Sequence, residues 1–332
     1  MATSTATRSI LLGRAELAAL MDHGAYLAAV EAAFRSYAEG RATVPAPMHV
    51  PVAKGGFHAK GALVVLERAY CAVKVNSNFP DNPSRHGLPT IQGAVLLLDG
   101  ANGSLLAVLD SIEITSMRTA AASALAARHL ARPDAKSIAI CGCGAQGRAQ
   151  LAAIAQVLPL ERAVAWDIDG AKAADFAREM SGLLGLEVKA TSELRAATLP
   201  SEVIVTATVA TTPFLRRDCV SPGTFIAAVG ADAPHKSELD SDLFAGTKVV
   251  TDLTAQGVVM GDLHHAIAAG RATTASVHAE LGEIVVGRKS GRSDRDEITI
   301  FDSTGVAIQD VAAAAWAYQR AIATNKGASH VF

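Results

Sequence analysis

Three glycines near the middle of the chain have the spacing of a phosphate-binding turn. Gly142, Gly144 and Gly147 form the pattern G-x-G-x-x-G directly after the apolar run "SIAIC" and at the start of an alanine-rich helical pattern. In such a turn the first glycine permits the tight bend, the second lets the backbone approach a pyrophosphate, and the third lets helix and strand pack closely. The motif alone is weak, and a plain glycine turn is the alternative. The strand before it and the helix after it favour a dinucleotide site.

The residue expected to contact the ribose of that dinucleotide is Asp167, which lies at the end of the next apolar run, 20 residues beyond Gly147. A carboxylate at this place accepts hydrogen bonds from the adenosine ribose hydroxyls and repels a 2′-phosphate. No arginine follows at once in "WDIDGAK". The sequence therefore favours NAD over NADP. The alternative role of capping a helix suits Asp169 better than Asp167.

The segment that precedes the glycine turn predicts a separate, largely antiparallel sheet. Residues 14–40 have a helical pattern with a break near His23 and Gly24. A proline-broken extended stretch follows, then strand patterns and a hairpin turn at 99–103. The strand patterns are LVVLE, YCAVKV, IQGAVLLLD and SLLAVLD. A long helix, capped by Asp110 or Ser111, then leads toward the glycine turn.

From residue 137 onward, strand and helix patterns alternate, which is typical of a doubly wound parallel sheet. The strand patterns are SIAIC, RAVAWD, EVIVTAT, GTFIAAVG and TKVVTD. The last helical pattern, 306–323, is expected to return to the first domain, because the parallel sheet is complete before it. We therefore predict an α/β protein in which a Rossmann domain, 119–305, is joined to an α+β domain built from both chain ends, 1–118 and 306–332.

Composition excludes several classes of protein. The chain has 332 residues, of which 50% are hydrophobic and 19% charged, with a net charge of −2. Both signs of charge are spread along the chain, so neither a nucleic-acid nor a membrane surface is expected. The four cysteines have no metal-ligand spacing and no disulfide-rich pattern, which favours reduced thiols in the cytoplasm. The first 20 residues are interpreted as a short tail and not as a signal peptide.

Four longer motifs resemble the ornithine cyclodeaminase/μ-crystallin family, in the order that family has them: MRTAAASALAARHL, GCGAQGRAQL, VGADAPHKSELD and FDSTGVAIQDV. The resemblance covers about residues 14–320. It implies an N-terminal substrate and dimerisation domain, completed by the C-terminal helix, with an inserted Rossmann domain, and hence a homodimer. Members include ornithine cyclodeaminase, alanine dehydrogenase, and reductases of cyclic imines and ketimines. All of them move a hydride between nicotinamide and the α-carbon of an amino acid or imine.

Within this resemblance, Lys74 and Asp232 are expected to be catalytic, and Lys74 and Arg118 are expected to bind the substrate. Lys74 lies in the strand pattern "AVKVNSN", where it would bind a carboxylate or polarise an imine nitrogen; a surface lysine is the alternative. Arg118 lies among small residues, which leave room for a carboxylate or the cofactor diphosphate; a helix-surface arginine is the alternative. Asp232 follows the strand pattern "FIAAVG" and matches the family aspartate that acts on the substrate amine. A loop or helix-cap aspartate is its alternative role.

The resemblance also implies a set of cofactor contacts at strand ends and in the glycine turn. Hydroxyl and backbone groups suit this task because they are ready hydrogen-bond partners. The expected cofactor residues, beyond Arg118, the three glycines and Asp167, are Thr90, Ala145, Gln146, Thr206, Thr208, Ala228, Val229, Lys236 and Ser303. Thr304, which follows Ser303, is expected at the substrate.

Two departures from the family pattern concern the substrate. Family members usually carry a carboxylate-binding arginine in the segment that here reads "VPAPMHVPV", where Pro47 or Met48 stands in its place. Ornithine cyclodeaminase has a glutamate for the distal amine, and His58 occupies that position here, with Lys60 nearby. Cations at this place would repel a distal ammonium, and Lys60 is a candidate to replace the arginine. That both residues face solvent is the alternative.

No metal site is expected. His264, His265 and the pair His278 and Glu280 do not have a recognisable zinc spacing, and nicotinamide chemistry of this type needs no metal. Cys141 and Cys143 are interpreted as small fillers of the cofactor loop and not as a redox pair.

The sequence therefore predicts an NAD-dependent oxidoreductase acting on an amino acid or a cyclic imine such as pyrroline-2-carboxylate. Two alternatives stay open. One is cyclodeamination of ornithine to proline with release of ammonia. The other is a non-catalytic nicotinamide- or ligand-binding protein, as crystallins of this family can be.

Overall fold

The chain divides into two compact units. The computed structural model describes residues 8–331. Met1–Arg118 and Val306–Phe332 form one unit, called here the terminal unit, and Thr119–Gly305 form the other, called the central unit. Residues 1–7 of the segment interpreted as an N-terminal tail lie outside the described residues. Arg8–Leu12 form a strand, so for these five residues that interpretation is wrong.

The first part of the terminal unit is a sheet with helices at its start and end. Its elements are β1 (Arg8–Leu12), α1 (Arg14–Leu20), α2 (His23–Ala38), β2 (Ala42–Thr43), β3 (Met48–Val52), β4 (Gly55–Val65), β5 (Ala69–Asn78), α3 (Asn82–His86), β6 (Ile91–Asp99) and β7 (Leu105–Asp110), followed by α4 (Ser111–Leu130), whose residues from Thr119 onward belong to the central unit. Asp22 caps α2 by accepting a hydrogen bond from Ala25 N, and Asp110 Oδ1 accepts one from Glu113 N in the first turn of α4. The predicted break between α1 and α2 and the hairpin at 99–103 are both present.

The central unit contains a parallel sheet. Its strands are β8 (Ser137–Cys141), β9 (Arg162–Trp166), β10 (Glu187–Thr191), β11 (Val203–Thr206), β12 (Phe225–Ala228), β13 (Lys248–Thr251), β14 (Val277–Glu280) and β15 (Thr299–Asp302). Its helices are α5 (Ala145–Ile154), α6 (Gly170–Leu184), α7 (Leu194–Thr198), α8 (Thr254–Gly257), α9 (Asp262–Ala268) and α10 (Leu281–Val285), with short 3-10 helices at Arg217–Cys219, Ser241–Phe244 and Thr274–Ser276.

The strand order of the central sheet is β10-β9-β8-β11-β12-β15-β13-β14, and all of its strand pairs are parallel. The four residues of β11, β12 and β15 are all buried, as expected of strands that are covered on both faces. The carboxyl ends of parallel strands meet at one edge of a sheet, so the turns after β8, β11, β12 and β15 lie side by side. This is the edge at which sheets of this kind bind ligands.

The chain then returns to the terminal unit as α11 (Ala307–Thr324) and β16 (Ala328–Val331). The terminal sheet has the order β16-β1-β7-β6-β5-β4-β2, with β3 on β4. Its pairs are antiparallel except β1 with β7. Helix α11 packs against α2, β4 and β5. Five buried alanines, Ala312, Ala313, Ala314, Ala315 and Ala317, let α11 lie close to these elements.

Candidate active site

The glycine turn has a backbone geometry that requires glycine at two of its three glycine positions. Gly142 has φ of +107°, which only glycine adopts readily, and a Cβ added there would lie 2.5 Å from Ala207 O. A Cβ on Gly147 would overlap Gly142 O. Gly144 caps α5 and has open space around it. Helix α5 therefore begins at a residue with open space around its Cβ position, and the N–H groups of a helix N-terminus suit an anion.

Asp167 fixes the glycine turn from the end of β9. Its Oδ2 accepts a hydrogen bond from Cys143 N at 2.8 Å, and its Oδ1 accepts one from Asp169 N at 3.0 Å. Asp169 caps α6 by accepting from Ala171 N and Lys172 N. Asp169 is therefore the residue that caps α6. Asp167 lies beside the glycine turn, where its carboxylate could hydrogen-bond a ribose.

The remaining cofactor candidates of the central unit lie at or just after the carboxyl ends of β11, β12 and β15, or in the first turn of α5. Ala145 and Gln146 are the first residues of α5. Thr206 is buried at the end of β11, and Val229 N donates to its carbonyl at 2.9 Å. Ser303 N donates to Ala228 O at 2.9 Å. The backbone at the ends of these three strands is therefore tied together by hydrogen bonds.

Asp232 and Lys236 form an ion pair in the loop after β12. Lys236 Nζ lies 2.6 Å from Asp232 Oδ1, and the Asp232 side chain is 57% exposed, compared with 16% for Lys236. The Asp232 carboxylate is therefore accessible to a ligand, and Lys236 fixes its position.

Thr304 belongs to a buried polar network around Asp252. Asp252 Oδ1 accepts from Thr304 Oγ1 at 2.9 Å, and Oδ2 accepts from Gly305 N at 2.6 Å. Gln256 Nε2 also donates to Thr304 Oγ1 at 2.9 Å. These contacts fix the turn after β15, which carries Ser303 and Thr304.

A buried carboxylate that the sequence reasoning missed lies below the loops after β11 and β12. Glu238 accepts hydrogen bonds from Thr208 N, Thr208 Oγ1 and Gly230 N. Burial, together with the nearby Asp262 carboxylate, raises the pKa of Glu238 to about 7. The signal available in the sequence was an acidic residue two positions after Lys236.

In the terminal unit, the structure brings two of the predicted cations onto one buried carboxylate. Lys74 Nζ lies 2.9 Å from Asp310 Oδ1, and Arg118 Nε lies 2.9 Å from the same oxygen. Arg118 Nη1 donates to Gln309 Oε1 at 2.7 Å, and Lys74 Nζ to Thr115 Oγ1 at 3.1 Å. The side chains of Lys74 and Arg118 are 6% and 5% exposed. Lys74 is therefore not the surface lysine that the pattern left open.

The buried charges of this cluster change one another's pKa values. Burial lowers the pKa of Lys74 to about 7; Asp310 opposes this, and Arg118 and Lys60 add to it. The pKa of Asp310 is lowered although burial would raise it, because Arg118, Lys74 and Lys60 stabilise its charged form. Three cations therefore act on one carboxylate. An amine with a pKa near 7 can hold or release a proton under physiological conditions.

Asp310 and Gln309 were missed as separate residues, although they lie within a motif that the sequence analysis used. They form a polar pair inside the alanine-rich helix α11, and a charged residue among buried alanines is the signal that could have identified them. Among residues 8–331, the buried atoms Asp310 Oδ2 and Gln309 Nε2 have no hydrogen-bond partner. Such atoms cost about 1–3 kcal/mol each, which a polar ligand would offset.

Lys60 and His58 lie on β4, on the face that carries Lys74 on β5. Lys60 pairs directly with Lys74 in the ladder, and His58 pairs with Asn76. Both are half-buried, so neither is a fully solvent-facing residue. His58 Nδ1 lies 3.1 Å from His49 Nδ1. Met48 begins β3 and is 59% exposed.

Thr90 lies just before β6, and its carbonyl accepts from Phe79 N at 2.8 Å. This bond ties the segment that follows β5 to the start of β6. The structure therefore holds Thr90 through its backbone.

The remaining cysteines and histidines have structural contacts. Burial raises the pKa of Cys143 to about 12 and also raises that of Cys141, so both thiols stay protonated. His264 and His265 hydrogen-bond the carbonyls of Val258 and Lys236. Between residues 8 and 331, no group of three or more His, Cys, Asp or Glu side chains has an arrangement suited to a metal ion. No helix in that same part of the chain is long and apolar enough to cross a membrane.

Comparison with known proteins identifies relatives over nearly the whole chain. The profile of the ornithine cyclodeaminase/mu-crystallin family matches residues 9–325. An iminosuccinate reductase of Paracoccus denitrificans is 35% identical over 314 residues, covering 92% of this chain and 94% of that protein.

Two solved structures have the same fold as this chain. An archaeal alanine dehydrogenase dimer with bound NAD superposes with a TM-score of 0.93 at 35% identity, covering 98% of this chain and 100% of that one. The Δ1-pyrroline-2-carboxylate reductase of Thermococcus litoralis, in complex with NADH and L-proline, has a TM-score of 0.92 at 36% identity, covering 96% of this chain and 99% of that one.

Proposed function

Because this chain belongs to the ornithine cyclodeaminase/mu-crystallin family, we propose that it transfers a hydride between NAD and the α-carbon of an amino acid or cyclic imine. The observation that carries the proposal is the buried cluster of Lys74, Arg118 and Asp310 in the terminal unit. Two cations held by one carboxylate leave positive charge for a substrate carboxylate, and a lysine with a pKa of about 7 suits an imine nitrogen.

The reaction has a simple balance. Reduction adds one hydride to the α-carbon and one proton to the nitrogen of the imine, and oxidation of the amine reverses both. Lys74 would polarise the imine and exchange a proton near neutral pH, while Arg118 anchors the carboxylate through its guanidinium. Asp310 keeps both cations in place. Asp232 would exchange a proton with the substrate nitrogen, since its carboxylate is mostly exposed.

The central unit has the parts that a dinucleotide needs. The open N-terminus of α5 at Gly144 would take the pyrophosphate, and Asp167 the adenosine ribose hydroxyls. The bound nicotinamide supplies the hydride. Thr206, Thr208 and Ser303 would contribute from the ends of the neighbouring strands. NAD is preferred over NADP in this proposal, because a carboxylate at 167 repels a 2′-phosphate and Ile168 brings no cation.

Lys60 is proposed to stand in for the arginine that the segment 44–52 lacks. It lies opposite Lys74 in the ladder and acts on the same buried carboxylate, Asp310. A cation on this face, with His58 two residues away, disfavours a substrate with a distal ammonium. Ornithine is therefore a poor substrate in this proposal, and cyclodeamination is the outcome that would contradict it.

We also propose a homodimer formed through the uncovered face of the terminal sheet. The face opposite α11 presents apolar side chains on β1, β6, β5 and β4. Leu11, Leu96, Val75 and Phe57 lie on it and are 38–42% exposed. Adjacent apolar side chains of this kind mark association sites. The archaeal alanine dehydrogenase with the same fold is a dimer.

A cytoplasmic location completes the proposal. Cys71, Cys141, Cys143 and Cys219 are all free thiols in the structure. Free cysteines are typical of reducing compartments.

The test is a substrate screen with purified protein. NADH absorbance is followed with pyrroline-2-carboxylate, with other cyclic imines, and with keto acids plus ammonia. In parallel, ammonia release from ornithine is measured with catalytic NAD. The proposal expects NADH consumption with at least one imine and little ammonia. Efficient conversion of ornithine to proline would favour a cyclodeaminase. Binding of NADH without turnover of any substrate would favour a non-catalytic ligand-binding protein.

A further inference from the structure

Two loops in the central unit begin at neighbouring strand ends and carry several of the proposed cofactor contacts. One loop follows β11 and contains Thr208, and the other follows β12 and begins at Val229 and Gly230. β11 and β12 are adjacent and parallel, so the spacing between the two loops is set within one unit of the chain. A dinucleotide that contacts both loops depends on that spacing.

One buried side chain holds both loops. Glu238 is fully buried. Its Oε1 accepts hydrogen bonds from Thr208 N at 2.6 Å and Thr208 Oγ1 at 2.7 Å, and its Oε2 accepts one from Gly230 N at 2.8 Å. Each carboxylate oxygen thus serves a different loop. Charge-assisted bonds of this kind are short and strong in a buried site.

The backbone of Glu238 closes the first loop at its other end. Glu238 O accepts from Phe214 N at 2.9 Å and from Leu215 N at 3.0 Å, and Ser237 N donates to Ala210 O at 3.0 Å. The loop after β11 is therefore held at its start by the Glu238 side chain and at its end by the Glu238 carbonyl.

The segment that carries Glu238 is itself anchored. Asp262, the first residue of α9, accepts from Glu238 N at 2.7 Å, from Leu239 N at 3.0 Å and from Ser237 Oγ at 3.3 Å. Asp262 is fully buried as well. Glu238 thus has little freedom to follow the loops if they move.

Gly230 is shaped to this contact. A Cβ added to Gly230 would overlap the Glu238 carboxylate, so any larger residue at 230 would displace either the carboxylate or the loop. The close approach of backbone and carboxylate explains why a glycine follows Val229 here.

We infer that Glu238 is a positioning residue for the nicotinamide dinucleotide: it fixes the loop after β11 and the loop after β12 at the spacing that cofactor binding needs. This inference rests on the proposed function, because the two loops are proposed cofactor contacts. Glu238 acts through Thr208 and Gly230 and does not itself contact the reacting atoms.

The test is the affinity of full-length variants for NADH, measured by fluorescence titration, together with steady-state kinetics. In Glu238→Gln, one carboxylate oxygen becomes an NH2 group, which cannot accept a hydrogen bond, so one of the two loops loses its acceptor. We expect the Kd and KM for NADH to rise at least about tenfold, about 1.4 kcal/mol, while the KM for the imine changes less than twofold. Val188→Ala on β10 is the control for lost stability alone, and its KM for NADH should stay unchanged.

A second variant approaches the same contact from the other side. Gly230→Ala keeps the glutamate at 238, but the added methyl group would displace its carboxylate or the loop. The KM for NADH should therefore rise as in Glu238→Gln. In the double variant Gly230→Ala with Glu238→Ala, the added methyl group gains space. The rise in the KM for NADH should therefore be smaller than the sum of the rises in free-energy terms for Gly230→Ala and Glu238→Ala alone. Simple additivity, or a Glu238→Gln protein that binds NADH within twofold of the wild type, overturns the inference. An equal loss of affinity in Val188→Ala does the same. A wild type that binds no NADH overturns this inference and the proposed function together.

Discussion

The substitution Asp310→Asn tests the role of the buried cluster in the terminal unit. Asparagine keeps the shape of the side chain and removes the charge that Lys74 and Arg118 share at 2.9 Å. Removing one partner from a buried ion pair costs about 3–5 kcal/mol of stability. The variant should therefore melt at a lower temperature, and its effect on the pH profile separates a catalytic consequence from a structural one.

The sign of the pH effect follows from the direction in which Asp310 acts. Burial lowers the pKa of Lys74 and Asp310 raises it, and the resulting pKa is about 7. Without the carboxylate, the pKa of Lys74 falls further. If it falls by one unit, about 1.4 kcal/mol, the protonated share of Lys74 at pH 7 drops from about one half to about one tenth. Activity that needs protonated Lys74 is lost as pH rises, so this limb should move to lower pH.

The assay is kcat/KM for the imine substrate from pH 5.5 to 9 at saturating NADH. At pH 7 we expect a loss of at least about fivefold from protonation alone, and more from the lost orientation of Arg118. The matched control is Asp99→Asn, which removes another nearly buried aspartate of the same unit, paired with Arg68 at 3.1 Å. Asp99→Asn should lose stability and keep the wild-type limb. An Asp310→Asn enzyme with a wild-type pH limb would refute the reasoning.

Three further substitutions test individual roles. Asp232→Asn should lower kcat by about 10² or more, because the group proposed to exchange a proton with the substrate nitrogen is lost, while NADH titration shows little change; near-normal turnover would exclude that role. Asp167→Ser combined with Ile168→Arg should raise kcat/KM with NADPH, because the repulsive carboxylate at 167 is removed and an arginine at 168, where Ile168 is 96% exposed, can bind the 2′-phosphate; a wild type that already prefers NADPH would contradict our interpretation of Asp167. Lys60→Met should raise the KM for the substrate at least about tenfold, about 1.4 kcal/mol, with NADH binding retained; an unchanged KM would show that Lys60 does not bind the carboxylate.

The parts of the fold that the sequence predicted are those with strong local patterns. The glycine turn lies where a tight bend and a close helix–strand contact both require glycine, at Gly142 and Gly147. The alternation of strands and helices after residue 137 gave the parallel sheet, and the hairpin at 99–103 gave the antiparallel one. Each of these signals arises from residues that are close in the sequence.

The strands that were missed depend on distant partners. β1 pairs with β7 and with β16, nearly 100 and more than 300 residues away. β15 is placed between β12 and β13, out of sequence order. A short strand without a hairpin partner has little local pattern, so its pairing is fixed by the tertiary structure.

The same limit applies to the candidate site. Lys74 and Arg118 stood out because charged residues are unusual among apolar and small neighbours. Asp310 joins them from 236 and 192 positions along the chain, and no spacing in the sequence predicts that contact. Glu238 likewise meets Thr208 across 30 positions. Single charged residues in buried segments were visible in the sequence, and the pairs they form were not.

The measurement that tests the central claim most directly is the fate of the hydride. The enzyme is incubated with NADH that carries deuterium on the transferable position of the nicotinamide, and with the imine that supports turnover. The amino acid product is then analysed by mass spectrometry and NMR. Our account predicts one deuterium per product molecule, located at the α-carbon, with one NADH oxidised for each product formed. Deuterium at another carbon, a product without deuterium, or no NADH oxidation with any imine or keto acid plus ammonia would contradict it.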